Sequence, residues 1–113
     1  MSRSHKLFLR DIQAACSRLR EYRDQICWTE PDKSPMAIDA VLHNLMILGE
    51  ATKNLPLEVR TTAADISWRK IAGLRDVIAH GYFTVDLSII RDVLDNKIDG
   101  LEAAVERLLE EAD

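Results

Sequence analysis

The side chains of this sequence that are best suited to chemistry lie together in residues 73–82. This segment contains Arg75, Asp76, His80 and Tyr82. A guanidinium group can neutralise a phosphate, an imidazole can move a proton near neutral pH, and a phenol offers a hydroxyl group. Because these residue types together suit phosphodiester chemistry, the segment is the candidate functional site.

The spacing of these residues predicts how they lie around the end of a helix. Asp76 and His80 are four residues apart and share a helix face, so we expect the Asp76 carboxylate to orient the imidazole. Arg75 lies five residues before His80, about 140° around the helix, and can meet it at a phosphate only through its long side chain. Gly81 can stop the helix in the left-handed conformation, which places Tyr82 outside the helix.

A simpler interpretation of the same residues stays open. Arg75 and Asp76 can be solvated helix residues, His80 can be a capping residue, and Tyr82 can be a half-buried aromatic side chain. Charged residues are common near helix ends, so spacing alone favours the simpler interpretation.

Other polar residues are weaker candidates. Arg69 and Lys70 lie one to two turns before Arg75 and either extend a basic, RNA-contacting patch or form a solvated face. Glu50 is either a buried carboxylate that faces the Arg75 region or a solvated one. His43 is expected to be partly buried rather than a ligand.

The composition limits the class of protein. The chain has 113 residues, which fits a single domain over residues 1–113. It has only 4 glycines and 3 prolines, which favours long helices over a β-fold with many turns. The net charge of −4 argues against a strong non-specific binder of nucleic acid, but it permits an RNA enzyme with a local basic cleft.

Membranes, metals and cofactors are not expected. No apolar run approaches the roughly 20 residues of a membrane span, and the N-terminus is not that of a secretory leader, so we expect a cytoplasmic protein. Cys16 and Cys27 fall in the first helical pattern, roughly 16 Å apart, and are expected to be reduced. No Cys or His pair has ligand spacing, so we expect no metal site.

Hydrophobic periodicity predicts four long helices and one short helical turn. They cover about residues 4–28, 35–54, 56–60, 67–80 and 86–110. Ser34 and Asp86 suit N-cap positions. Gly49 lies inside the second helix, where a glycine usually lets another backbone approach closely. These elements predict an all-α, antiparallel up-and-down four-helix bundle, and apolar residues left over on the first helix indicate a homodimer.

Taken together, these residues resemble a known family. Arg75-x4-His80-x-Tyr82 has the R-x4-H-x-Y form of the HepT-like toxins of the HEPN superfamily. Residues 44–51 resemble the N-L-x-x-I-G-E-A segment of that family, and residues 68–82 resemble its W-R-x-I-x-G-x-R-N/D-x-I-x-H-x-Y block. The similarity spans nearly the whole chain. Asp76 stands where Asn is commoner in the family, which adds negative charge beside the expected phosphate site.

The resemblance implies a homodimeric helical bundle that acts as a metal-independent endoribonuclease on RNA, including tRNA. It also implies the toxin half of a type VII-like toxin–antitoxin pair, with a minimal nucleotidyltransferase as antitoxin. In such a pair the antitoxin would neutralise the toxin by adding AMP to Tyr82. The two copies of the motif would face each other across the dimer cleft.

The roles expected from the resemblance agree with the chemistry of the residues. His80 would be the acid or base, and Arg75 would stabilise charge on the phosphorane. Asp76 would orient His80, while Tyr82 would position the phosphate and accept AMP, whose bulk and charge would exclude RNA.

Two alternatives stay open. One is a non-catalytic binding module that docks a nucleotidyltransferase or binds a nucleotide, and the other is a purely structural helical dimer. The acidic net charge favours the binding module, whereas the joint placement of Arg, His and Tyr favours the nuclease.

Overall fold

The computed structural model describes residues 4–111, and this part of the chain folds into α-helices joined by turns. The six α-helices are α1 (His5–Arg23), α2 (Pro35–Lys53), α3 (Leu57–Thr62), α4 (Trp68–His80), α5 (Leu87–Asn96) and α6 (Ile98–Glu111). Two single 3-10 turns, Pro31–Lys33 and Tyr82–Thr84, precede α2 and follow α4. The prediction of an all-α fold is confirmed, while the four-helix bundle and the homodimer stay predictions.

Helices α1, α2, α4 and α6 build the core. Helix α1 packs against both α2 and α6, and α2 packs against α4. The apolar stripe predicted on the first helix faces the core: Ile12, Ala15 and Leu19 are fully excluded from solvent, while Phe8 and Tyr22 are partly buried. Since helices in proteins gain most of their stability from tertiary packing of an amphipathic face, the burial of these stripes stabilises the helices.

The first predicted helix is shorter than its periodicity suggested. Helix α1 ends at Arg23 rather than near residue 28, because the chain turns there and still buries Ile26 against the core. The apolar pattern therefore continues through the turn, and the hydrophobic periodicity could not show that α1 ends at Arg23. Cys27 consequently lies outside the helix and is exposed, whereas burial raises the pKa of the Cys16 thiol to about 12.

The last predicted helix is divided into α5 and α6, so the expectation of one continuous helix over residues 86–110 is wrong. The division falls at Lys97. A side-chain nitrogen of Arg23 donates to the carbonyl oxygen of Leu94 at 3.2 Å, and this oxygen is the one that the amide of Ile98 would use in an unbroken helix. A side chain inserted into the backbone ladder is a common cause of such a kink.

The caps were predicted only in part. Asp86 accepts from the amide of Ser88 at 2.9 Å, as an N-cap should. Ser34 precedes α2 but makes no cap bond; its hydroxyl accepts from the amide of Cys27 at 2.9 Å and closes the preceding loop. Gly81 ends α4 with φ of −141°, so the expected left-handed conformation is wrong, and the 3-10 turn that starts at Tyr82 redirects the chain instead.

Helix α4 carries the candidate site and is fixed by a hydrogen bond at its start and by buried side chains along its length. At its start, Trp68 is buried and its indole nitrogen donates to the carbonyl oxygen of Ala63 at 2.9 Å. Ile71 and Ile78 continue the buried side of the helix.

Within residues 4–111, none of the helices combines the length and the apolar character needed to cross a membrane.

Gly49 brings α4 onto α2 at the residue of most interest. A Cβ added at Gly49 would lie 2.9 Å from both the Cβ and the backbone nitrogen of Arg75, and 3.1 Å from the carbonyl oxygen of Ile71. These distances are far inside ordinary van der Waals contact, so only glycine fits without moving α4. The predicted close approach of a second backbone is confirmed.

Replacing Gly49 with alanine should therefore destabilise the protein although alanine favours helices. We expect Gly49→Ala to lower the free energy of unfolding by about 1–3 kcal/mol, the usual cost of overpacking, as measured by urea denaturation. Gly73→Ala is the matched control, because a Cβ at Gly73 meets no atom within 4 Å. That variant should gain up to about 1 kcal/mol from helix propensity, and equal stability of the two variants would contradict the close-packing argument.

Candidate active site

The structure brings Arg75, Asp76, His80 and Tyr82 to one end of α4. Arg75 and Asp76 lie on its last two turns, His80 is its last residue, and Tyr82 opens the 3-10 turn that follows Gly81. His80 and Asp76 are exposed, while Arg75 and Tyr82 are partly buried. The four residues therefore share one accessible region of the surface.

His80 is oriented by backbone rather than by a carboxylate. Its Nδ1 atom lies 2.7 Å from the carbonyl oxygen of Asp76. A carbonyl oxygen can only accept, so this contact requires the proton on Nδ1 and leaves Nε2 as the nitrogen available to a substrate. The expected contact between the Asp76 carboxylate and the imidazole is wrong: His80 contacts the backbone carbonyl of Asp76, while the carboxylate contacts Arg75.

Arg75 is shared by two carboxylates. Its Nη1 atom lies 3.1 Å from Oδ1 of Asp76, and its Nε atom lies 3.5 Å from Oε2 of Glu50 on α2. Glu50 therefore faces Arg75 but is exposed rather than buried. The three side chains keep roughly half of their surface in solvent, and exposed ion pairs of this kind contribute about 1 kcal/mol or less. A phosphate group can thus compete with either carboxylate for the guanidinium.

Tyr82 is tied to a residue that the sequence did not single out for the site. Its hydroxyl donates to Oδ1 of Asp39, in the second turn of α2, at 2.8 Å. This hydrogen bond, then burial, then the charge of Asp39 raise the pKa of Tyr82 above its ordinary value. The neighbouring Phe83 ring forms a T-shaped contact with the Tyr82 ring and is itself 97% exposed.

Asp39 could not be assigned to the site from spacing, since 43 residues separate it from Tyr82. Its only local signal is the pattern Asp39-x3-His43-x6-Glu50, which places three polar side chains on one face of α2. His43 is exposed on this face, contrary to the expectation of partial burial. The polar face of α2 therefore borders the end of α4 that carries the motif.

Arg69 and Lys70 are exposed, but they lie at the start of α4, roughly 8 Å along the helix axis from Arg75. Lys70 lines a groove of about 600 Å³ between α4 and the pair α5 and α6. The structure thus places Lys70 at the groove and both cations away from the motif, and their contact with RNA stays a prediction.

Exposed apolar side chains surround the motif. Val77, Phe83 and Ile89 are 64%, 97% and 58% exposed, and they belong to α4, to the 3-10 turn and to α5. Ile89 also lines the groove, together with the partly buried Leu74 and Val93. Large apolar side chains this exposed are typical of a surface suited to a protein partner.

The part of the chain described by the structure holds no group of three or more His, Cys, Asp or Glu side chains arranged to bind a metal ion. The polar atoms gathered at the end of α4 are instead one guanidinium, one imidazole, one phenol and the carboxylates that hold them. These groups can supply positive charge to a phosphate and exchange protons with it.

Comparison with known proteins gives a consistent result. A family model described as "Ribonuclease HepT-like" matches residues 12–108. The chain is 34% identical over 108 residues to the "Probable ribonuclease HepT" of Thermococcus cleftensis, with 96% of this chain and 98% of that protein covered. It is 36% identical over 103 residues to the "Putative RNase TTE0752" of Caldanaerobacter subterraneus subsp. tengcongensis, with 91% and 92% covered. No solved structure matches the chain significantly.

The Tyr82–Asp39 hydrogen bond can be tested by titration. In a Tyr22→Phe background, the absorbance of the phenolate should show Tyr82 ionising above the ordinary pKa of about 10. Asp39→Asn should lower this pKa because it removes the carboxylate charge, whereas Asp32→Asn should leave it unchanged. Since the folded-state pKa exceeds the unfolded one, the contribution of this phenol to stability is complete at neutral pH and is lost as the pH rises through the folded-state pKa. A Tyr82 pKa at or below that of free tyrosine would contradict the contact.

Proposed function

The chain belongs to the HepT-like ribonuclease family, and from this premise we propose that it is a metal-independent endoribonuclease whose catalytic groups are His80 and Arg75. The observation that carries the proposal is that His80 and Arg75 both contact Asp76 near the end of α4, His80 through Nδ1, which leaves its Nε2 for a substrate, and Arg75 through its guanidinium. An imidazole nitrogen beside an arginine supplies the proton transfer and the positive charge that cleavage of RNA requires.

The proposed cleavage needs two proton transfers. A base removes the proton of the ribose 2′-hydroxyl, whose oxygen attacks the phosphorus, and an acid donates a proton to the 5′-oxygen as the P–O5′ bond breaks. The products are a 2′,3′-cyclic phosphate and a free 5′-hydroxyl. Arg75 stabilises the charge that accumulates on the phosphorane oxygens, after exchanging Glu50 or Asp76 for the phosphate. Tyr82 helps to position the phosphate.

One chain contributes one His80, so the proposal includes a homodimer in which two copies of the motif face one cleft. A two-fold axis through the cleft supplies a second imidazole and a second guanidinium without any further residue. The exposed Val77, Phe83 and Ile89 around the motif support this arrangement, because a second copy would cover them.

We further propose that the chain is the cytoplasmic toxin of a type VII-like toxin–antitoxin pair, with RNA such as tRNA as its target. Its antitoxin would be a minimal nucleotidyltransferase that adds AMP to Tyr82. Tyr82 lies two residues from His80, so an attached nucleotide would put bulk and negative charge where the RNA phosphate must bind.

A second candidate function is a non-catalytic module that binds a nucleotide or docks a nucleotidyltransferase. The observation that favours it is the sharing of Arg75 by Glu50 and Asp76 in a chain of net charge −4, which weakens the pull on a polyanion. This module would bind its partner without cleaving RNA at any protein concentration.

The nuclease is tested by cleavage of RNA in excess EDTA. The wild-type protein should cut and leave cyclic-phosphate ends, and His80→Ala should lower the rate at least about 100-fold because proton transfer is lost. Arg75→Ala should lower it by about 10²–10³-fold through lost charge stabilisation. His5→Ala is the matched control, since His5 lies at the start of α1, and it should cleave as the wild type does. Loss of cleavage in EDTA, or an active His80→Ala, would overturn the proposed mechanism.

The dimer is tested by placing a charge on its proposed surface. Val77→Glu should convert the dimer to a monomer in sedimentation and lower cleavage at least about 100-fold, since each cleft would lose one acid–base group. Leu57→Glu introduces the same charge at a similarly exposed position on α3, and it should change neither mass nor activity. A wild-type monomer, or a Val77→Glu monomer with full activity, would show that one copy suffices.

A further inference from the structure

We infer that Asp39 is the residue of this chain that prepares Tyr82 for nucleotide transfer, by fixing the phenol oxygen and accepting its proton. The inference rests on the proposed function, because it assumes that Tyr82 is the modified residue. It goes beyond that proposal in assigning part of the transfer chemistry to the toxin itself rather than to the antitoxin.

The geometry places the phenol oxygen before any partner arrives. The Tyr82 hydroxyl donates to Oδ1 of Asp39 at 2.8 Å, so its proton already points at the carboxylate. The rings of Phe83 and Tyr82 form a T-shaped pair, with their centres 5.4 Å apart. Asp39 is exposed, and the contact therefore lies at the surface, where an enzyme can reach it.

The rigidity of this arrangement comes from α2 and α4. Asp39 lies in the second turn of α2, and Tyr82 follows α4 by two residues. The approach of the two helices at Gly49 fixes them relative to each other. The bond thus gives the Tyr82 phenol a carboxylate placed to accept its proton.

The proposed step balances as follows. The phenol oxygen of Tyr82 attacks the α-phosphorus of a nucleoside triphosphate bound by the transferase and forms a new P–O bond. The bond from the α-phosphorus to the bridging oxygen breaks, and pyrophosphate leaves. The phenol proton passes to Oδ1 of Asp39 as the new bond forms. An aspartate that accepts the proton of a substrate hydroxyl in this way serves protein kinases in phosphoryl transfer.

The test follows nucleotide attachment to Tyr82 by intact mass, with ATP and a minimal nucleotidyltransferase that modifies the wild-type chain. Asp39→Asn keeps an oxygen that can accept a hydrogen bond but cannot take the proton. It should lower kcat for attachment about 100-fold, with KM for the toxin nearly unchanged. Asp39→Glu should restore part of the rate, and Asp32→Asn should react as the wild type does. Circular dichroism verifies that each variant is folded.

The pH profile separates proton transfer from simple positioning. With the wild type the rate should be nearly flat between about pH 7.5 and 9.5, because transfer of the proton to Asp39 does not require the phenol to ionise beforehand. With Asp39→Asn it should rise about tenfold per pH unit, because only the phenolate fraction can react. The other titratable groups on the neighbouring parts of α2 and α4 include His43 and His80, and because the wild type and Asp39→Asn share both, neither histidine can cause a difference between the two profiles.

The outcomes distinguish the two proposals. Equal attachment rates and parallel pH profiles for wild type and Asp39→Asn would overturn the role of Asp39 and leave Tyr82 as the acceptor. Attachment that persists in Tyr82→Phe, at another residue, would overturn the proposed modification site and this inference with it. A slower Asp39→Asn with a rising pH profile would support both.

Discussion

The approach of α4 to α2 at Gly49 is the constraint on which the candidate site depends. The absence of a side chain there lets the backbone of Arg75 lie directly against α2. Two contacts across the same pair of helices follow from it. Glu50 reaches the Arg75 guanidinium, and Asp39, three turns earlier on α2, reaches the phenol of Tyr82. A methyl group at position 49 would push the two helices apart and lengthen both contacts at once.

Each functional group of the site is held by an acceptor within the same chain. Arg75 is held by two carboxylates, Tyr82 by a third, and His80 by a backbone carbonyl. This satisfies these polar groups within the chain, and under the proposed function RNA would have to displace a carboxylate before Arg75 could hold a phosphate. The exposed ion pairs are weak enough for that exchange. A site of this design gains selectivity for a correctly placed phosphate at the expense of affinity for polyanions in general.

Much of this arrangement could be predicted from the sequence, and the failures have physical causes. Periodicity located the buried faces, and Gly49 correctly signalled a close helix contact, because both depend on local residue types. The ends of α1 and of α5 were missed, since a turn that buries Ile26 and a bond from Arg23 to the Leu94 carbonyl leave no mark on apolar spacing. The four-residue spacing of Asp76 and His80 was informative, yet it could not tell the carboxylate from the carbonyl of the same residue. The partnership of Tyr82 and Asp39 was beyond reach, because it joins residues 43 positions apart.

The hydrogen bond that holds Tyr82 has a single proton, and a phenol converted to a phosphate ester no longer has it. Under the proposed modification, the oxygen that donated to Asp39 becomes part of an anionic diester beside an anionic carboxylate. The attractive hydrogen bond is then replaced by repulsion between the Asp39 carboxylate and the phosphate diester, and the tyrosine ring moves away from α2. One covalent modification would accordingly have two effects: it would block the cleft, and it would remove the hydrogen bond that holds the unmodified ring beside α2.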